Sequence, residues 1–285
     1  MQMKNKMPNA TTNASSLPSE EEQESLKKFA AGYKVSNLLL NVFPSFKAPF
    51  QQAGLAGYSD GAMRLIAREH GCPFCVTEAL LDQTLIAGGK GRRREDPDIL
   101  KEEKHLGDPN ENRLANLGDH PVAGQIMGSD PKVMSDASNI LVKMVYDAID
   151  VNLACPVKKI RKRKRGGHLL STPSIAIEIL KEVKKNIPIN LPLTVKMRRS
   201  FDDSEEMQKN FYKIFDAAYE IGYSWVTVHT RTVTQKYVGP GYRPFLKELV
   251  KKYPDRIIFG SGDIWNVWEI FKMLKETKVD AVSVA

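Results

Sequence analysis

Cys155 closes the apolar run DVNLACP, and KKIRKRKR follows it two residues later, so the eleven residues that begin with this thiol hold seven Lys or Arg side chains. A thiol is a nucleophile when ionised and a proton donor when neutral. A run of cations grips the phosphates of nucleic acid, or it lies solvated on the surface. Other polar residues stand at comparable places: Glu78, Gln125, Asn152 with Cys155, Lys196 with Arg198, His229 with Arg231, and Ser261 with Asp263 each follow a short apolar, β-rich run. A nucleophilic pair of Cys155 and His229 is one reading, but it leaves Lys196, Arg198 and Arg231 without a role. Those cations suit a large, electron-rich ligand. Cys72 and Cys75 form a lone CPFC pair; a zinc site needs about four ligands and the sequence has no second pair, so no metal is expected. GxGxxG and P-loop patterns, which bind dinucleotides and triphosphates, do not occur.

The elements that carry these residues follow a repeat. QQAGLAG, FCVTEAL, VAGQIMG, AIDVNLA, LTVKM, WVTVHT, RIIFGSG and DAVSVA read as strands. Amphipathic spacing predicts helices between them over residues 60–70, 132–146, 173–186, 205–221, 242–253 and 266–276. Strands alternating with helices imply a parallel sheet buried on both faces. Eight strand candidates over this length suit a (β/α)8 barrel, in which residues at the C-terminal strand ends face the catalytic mouth. Ser19 followed by EEE marks the start of a short helix after a polar, Asn/Ser/Thr-rich lead-in. The expected division is a polar tail with one helix over residues 1–34 and a barrel over 35–285. Residues 88–120 lack a period, are rich in Gly, Asp, Asn and charge, and are expected to emerge on the catalytic face.

A chain of 285 residues with 42% hydrophobic content buries a sizeable core without staples. Its net charge of +8 favours an anionic partner. Three cysteines, unevenly spaced, point to a reducing compartment. No apolar run approaches the roughly 18–20 residues that span a bilayer, and a cytoplasmic location without membrane contact is expected.

The segments LAGYSDGAMRLIAREHGCPFCVTEAL, PVAGQIMGSDP, DVNLACPVKKI with GGHLLSTP, LTVKMR, VTVHTRTVTQKYVGP and GSGDI resemble, in order and spacing, the motifs of the tRNA-dihydrouridine synthase family. The resemblance implies a TIM barrel that binds FMN, takes electrons from NADPH and reduces the carbon 5–carbon 6 double bond of uridine in RNA, with tRNA the expected substrate and rRNA left open. It implies that Gln125, Lys196 and His229 hold the flavin, with Ser261 and Gly262 near its phosphate. Cys155 would be the general acid that protonates carbon 5 after hydride reaches carbon 6. Asn152, Arg198 and Tyr237, with Arg231 nearby, would contact the uracil. Lys158, Lys159, Arg161, Lys162, Arg163, Lys164 and Arg165 would grip the RNA backbone. A monomer is expected. The alternatives are an RNA-binding barrel without catalysis and an FMN reductase of a small pyrimidine.

The sequence departs from the family pattern at Gly54-Leu55, where Pro-Met is usual, at Ala154 in place of Gly, and at Ser261 in place of Asn. It stops at Ala285, the end of the last strand candidate. The final barrel helix and the family's C-terminal helical domain are therefore expected to be missing from this chain.

Overall fold

The computed structural model describes residues 17–88 and 119–285. The expectations for the lead-in before residue 17 and for most of the long connection, residues 89–118, fall outside them. Nine strands are present among the described residues: β1 (Phe50–Gln52), β2 (Cys75–Val76), β3 (Leu80–Leu81), β4 (Val122–Met127), β5 (Ala148–Leu153), β6 (Leu193–Arg198), β7 (Trp225–His229), β8 (Ile258–Ser261) and β9 (Ala281–Val284). Every neighbouring pair is parallel. The last strand, β9, returns to β1, and β2 pairs directly with β4, so eight of the nine close a ring while β3 extends the second position along β4. The expected run FCVTEAL is thus split in two. At the break the Thr77 hydroxyl, not a strand carbonyl, accepts the N–H of Gln125 at 3.0 Å.

The two-residue period of the strands sorts the side chains. Val151 and Leu153, Val195 and Met197, and Val226 and Val228 point outward and belong to the main apolar core, packed against the helices Pro131–Lys143, Pro173–Asn186 and Glu205–Ile221. The alternate residues point into the barrel. At its N-terminal end these are Ala123, Ala148, Trp225, Phe259 and Ala281, closed off by Phe46 and Phe74. Trp225 stacks on Phe259 with ring centres 5.2 Å apart, and Phe74 meets Trp225 edge-on at 5.8 Å. Two residues further along the same strands come Gln125, Asp150, Thr227, Ser261 and Ser283. The floor of the barrel is therefore apolar and aromatic, and the polar residues lie above it.

The helices start where the sequence signals them. Ser19, Asp60, Asp130, Ser204 and Asn266 each cap a helix by accepting a backbone N–H with the side chain. The first helix, Glu20–Gly32, is fastened to the last, Val267–Thr277: Lys272 pairs with Glu22 at 2.8 Å, and Lys275 donates to Ser25 at 2.6 Å. Among the described residues no helix is long and apolar enough to cross a membrane.

Because Phe74 is fully buried against three aromatic rings, Phe74→Ala should cost about 3–5 kcal/mol of stability through forfeited transfer energy and the cavity left behind. Urea unfolding followed by tryptophan fluorescence measures it. A change below about 1 kcal/mol would mean that the floor repacks and is not a rigid support.

Candidate active site

The C-terminal ends of β4 to β8 bring the sequence-predicted residues to one mouth. Ladder register sets Asn152 beside Lys196, Arg198 beside His229, His229 beside Ser261, and Ser261 beside Ser283. A continuous chain of hydrogen bonds runs through the first of these. Asp150 accepts from Thr194 Oγ1 at 2.5 Å and from Gln125 Nε2 at 2.7 Å. Gln125 Oε1 accepts from Asn152 Nδ2 at 2.8 Å. Asn152 Oδ1 in turn accepts the backbone N–H groups of Ala154 and Cys155, each at 3.0 Å. The loop carrying Cys155 is thus hung from the barrel interior by an Asn side chain.

Cys155 is half-buried and free. Burial pushes its thiol up, against smaller pulls from the Val157 backbone N–H and the Arg198 cation. It therefore stays protonated at neutral pH, the state that a proton donor needs and a nucleophile does not. Gly166 adopts φ +57°, and a Cβ there would come within 3.0 Å of the Cys155 Cβ. Gly167 donates its N–H to the Cys155 carbonyl at 3.0 Å. GGHLL thus forms the wall behind the thiol, and only residues without side chains let the chain pass this close.

The cations stand on and just after the next strands, β6 and β7. Lys196 Nζ has no hydrogen-bond partner among the described residues; desolvation lowers its pKa to about 8, with Asp150 raising it and Arg198 lowering it. Arg198 is held to the carbonyls of Ala154 (3.1 Å), Thr232 (2.8 Å) and Lys236 (2.6 Å), with its guanidinium 5.4 Å from the centre of the exposed Tyr237 ring. Burial lowers its pKa to about 10. His229 is held far below the ordinary imidazole value by burial and by Arg198, Lys196 and Arg231. It is neutral, and because Nδ1 accepts the Arg231 N–H at 3.1 Å, the proton sits on Nε2, beside Gly262. Gly262 has φ +112°, and a Cβ there would meet Thr230 Oγ1 at 2.6 Å and the His229 ring at 3.2 Å. The mouth therefore holds Lys196 and the His229 Nε2–H, neither with a hydrogen-bond partner among the described residues, beside a stretch of backbone free of side chains. Such a set fits a polar, electron-rich ring system.

Several side chains are placed differently from the expectation. Arg231 spends its guanidinium on the fold: Nε donates to the Gly239 carbonyl at 2.8 Å, and Nη2 pairs with Asp263 at 2.5 Å. Asp263 also accepts the Gly241 N–H at 2.6 Å, so this cluster shapes the loop that presents Tyr237. In the basic run, Lys158, Lys159, Lys162, Arg163 and Lys164 are exposed around a short helix, Lys158–Arg161, and the turn after it. Arg161 lies over the Phe201 ring at 5.3 Å. Arg165 is a correction. Its side chain is 5% exposed and pairs at 3.2 Å with Asp82, itself 1% exposed, so it anchors the run to the end of β3 and is not available to solvent. Charge density alone does not separate an anchor from its exposed neighbours. Asp150 and Asp82 escaped sequence reasoning; the signal for Asp150 was an acidic residue inside the otherwise apolar AIDVNL. Cys72 and Cys75 lie buried at the opposite end of the barrel, Sγ to Sγ 4.0 Å, and no group of three metal-binding side chains occurs among the described residues.

Fold and site together define a (β/α)8 barrel with a polar, cation-rich catalytic-type mouth over an aromatic floor. The family model described as dihydrouridine synthase matches residues 51–285, and the chain belongs to that family. Among curated proteins, the probable tRNA-dihydrouridine synthase of Aquifex aeolicus is 31% identical over 168 residues, 58% of this chain and 51% of that protein. The tRNA-dihydrouridine(16) synthase of Pseudomonas putida is 29% identical over 220 residues, 75% of this chain and 62% of that protein. The chain therefore spans between half and two-thirds of the length of these relatives. Solved structures that share the fold include the old yellow enzyme homologue from Zymomonas mobilis (TM-score 0.57, 12% identity, 84% of each chain). Morphinone reductase in complex with tetrahydroNAD is another (TM-score 0.55, 9% identity, 84% of this chain and 82% of that one).

Arg165→Ala would leave the Asp82 carboxylate buried without its cation, which should cost about 3–5 kcal/mol. Replacing both residues by Leu removes both charges and should recover most of that stability. Equal urea midpoints for Arg165→Ala and the parent would show that the pair does not anchor the basic run.

Proposed function

We propose that this chain reduces uridine in RNA to 5,6-dihydrouridine, with FMN bound in the barrel mouth and Cys155 as the proton donor. The observation that carries the reading is a thiol kept neutral by burial, fixed at the mouth of a barrel that also presents donors unmatched among the described residues, and flanked by an exposed basic segment. Family membership supports the reaction, and tRNA is the RNA for which the similar proteins are named.

Gln125, Lys196 and His229 are the residues that would hold the flavin ring, with the Ser261-Gly262 turn toward its phosphate. The chemistry that FMN supplies is hydride transfer to carbon 6 of the uracil, with NADPH as the reductant that recharges it. The Lys196 ammonium stabilises negative charge that develops beside it, and neutral His229 donates one hydrogen bond from Nε2. Asn152 keeps one N–H and Arg198 one terminal nitrogen for the carbonyl edge of the base, while the exposed Tyr237 ring covers its face. Cys155 gives its proton to carbon 5 and regains one from solvent. The base must leave its stack to enter such a mouth, as base-modifying enzymes generally require. Lys158, Lys159, Lys162, Arg163 and Lys164 hold the adjoining phosphates, Arg161 lies beside them, and Arg165 fixes the segment from below.

The decisive experiment pairs an FMN titration, followed by flavin fluorescence, with measurement of dihydrouridine formed from tRNA and NADPH. The parent should bind FMN and form product. Cys155→Ala should bind FMN equally well and turn over about 10²–10⁴ times more slowly. Unchanged turnover removes Cys155 from the reaction, and failure of the parent to bind FMN overturns the flavin reading. A purely RNA-binding barrel would bind tRNA without product, and a small-pyrimidine reductase would oxidise NADPH with free uracil but not with tRNA. The pH dependence has a defined sign. Lys196 loses its charge as pH rises through about 8, and the raised Cys155 thiol loses its proton at higher pH, so FMN affinity falls first and proton donation later, both on the alkaline side.

Neutralising Lys158, Lys159, Lys162, Arg163 and Lys164 together should weaken tRNA binding and flatten its dependence on salt, by about 0.7–0.9 in log–log slope for each phosphate no longer held. FMN affinity should not move. An unchanged slope would mark the run as solvated surface only.

A further inference from the structure

Asp150 is 4% exposed, lies one turn of the strand below the mouth and is assigned no part in the chemistry above. Both of its oxygens accept from side chains, Oδ1 from Thr194 and Oδ2 from Gln125, so the oxygen that faces Gln125 acts as an acceptor. At the far end of the same chain the backbone N–H groups of Ala154 and Cys155 can only donate. Between these two fixed ends lie two amides, each of which could face either way. With an acceptor below, Gln125 must turn its NH2 group down and its oxygen up. Asn152 must then turn its NH2 group toward Gln125 and its oxygen toward the Cys155 loop, which is the arrangement observed at 2.8 Å. Were Gln125 reversed, its NH2 would face the Asn152 NH2, and the loop would lose its acceptor or the pair its bond.

We propose that Asp150 is a positioning residue for Cys155: its buried carboxylate sets the orientation of the Gln125 and Asn152 amides and through them holds the loop that carries the thiol. This deepens the reading of Cys155 as the proton donor and rests on it for its catalytic meaning, but its test needs neither flavin turnover nor RNA. The same orientation decides what the site presents to a ligand, since it leaves one N–H on Asn152 and one on Gln125 outside the chain.

The test is the rate of iodoacetamide alkylation of Cys155, followed peptide by peptide with mass spectrometry. The full chain is used with flavin removed from every variant, so that a missing cofactor cannot imitate the effect. Cys75, 0% exposed at the opposite end of the barrel, is the internal reporter of general loosening. Asp150→Ala should raise the Cys155 rate about tenfold, the value of roughly one hydrogen bond, and leave the Cys75 rate unchanged. Asp150→Asn, whose carbonyl can still accept from Gln125, should stay close to the parent. Gln125→Met severs the chain without touching Asp150, should match Asp150→Ala, and carries the test if Asp150→Ala does not fold. The double variant should react no faster than either single one. The proposal is overturned if both Asp150→Ala and Gln125→Met leave the Cys155 rate unchanged, if Cys155 and Cys75 accelerate in proportion, or if the two substitutions multiply. Failure to bind FMN, by contrast, would overturn the flavin reading and leave this result intact.

Discussion

A carboxylate enclosed in a parallel barrel has no water to solvate it, so each of its oxygens must be met by a donor from the barrel itself. Asp150 is that carboxylate. Burial pushes its pKa up, and its bonds from Thr194 and Gln125, together with the Lys196 cation, oppose the rise. An unmet buried charge costs far more than a hydrogen bond returns, so the surrounding side chains are constrained to complete this shell. Gln125 on β4 and Thr194 and Lys196 on β6 are placed by that constraint. Asn152 and the Cys155 loop then follow from the direction in which Gln125 faces.

The cations beside this hydrogen-bonded chain obey a different electrostatic rule. Lys196, Arg198 and Arg231 converge within one mouth, where Asp150 and Asp263 are the acidic side chains that answer them among the described residues. Crowding and desolvation lower the pKa of Lys196 to about 8 and of Arg198 to about 10, and they leave His229 neutral. Arg198 and Arg231 are tied down by carbonyls of the 232–239 loop, whereas Lys196 and the His229 Nε2–H have no hydrogen-bond partner among the described residues. A neutral thiol and a group of cations thus share one mouth, with Arg198 tied to the carbonyl of Ala154 beside the thiol.

The basic segment joins these two halves to the outside. It starts two residues after Cys155-Pro156 and ends at Arg165, whose buried pairing with Asp82 fixes the segment at its far end, immediately before the glycines that back the thiol. The exposed cations therefore sit on a segment clamped at both ends next to Cys155. The distance between the exposed cations and the thiol is set by the covalent chain and one ion pair.

The sequence by itself determined the repeating strands and helices, their parallel order, and the strand ends at which polar residues collect, because burial on two faces imposes a two-residue period that can be read directly. Helix starts at Ser19 and Asp60 and the limits of the helices Pro173–Asn186 and Glu205–Ile221 were equally legible, since caps and amphipathic spacing are local. Cys155, Lys196 and His229 stood out because their motifs lie in contiguous segments. The tertiary structure alone decided which cations are exposed. Arg165 differs from Lys164 only through Asp82, a residue more than eighty positions away that the barrel brings within 3.2 Å. It also decided that Arg231 builds a loop, that the second strand breaks at Thr77, and that Asp150 governs two amides, since each depends on side chains from different strands meeting inside a closed ring. Local pattern fixes what each strand offers; only closure of the ring fixes which offers meet.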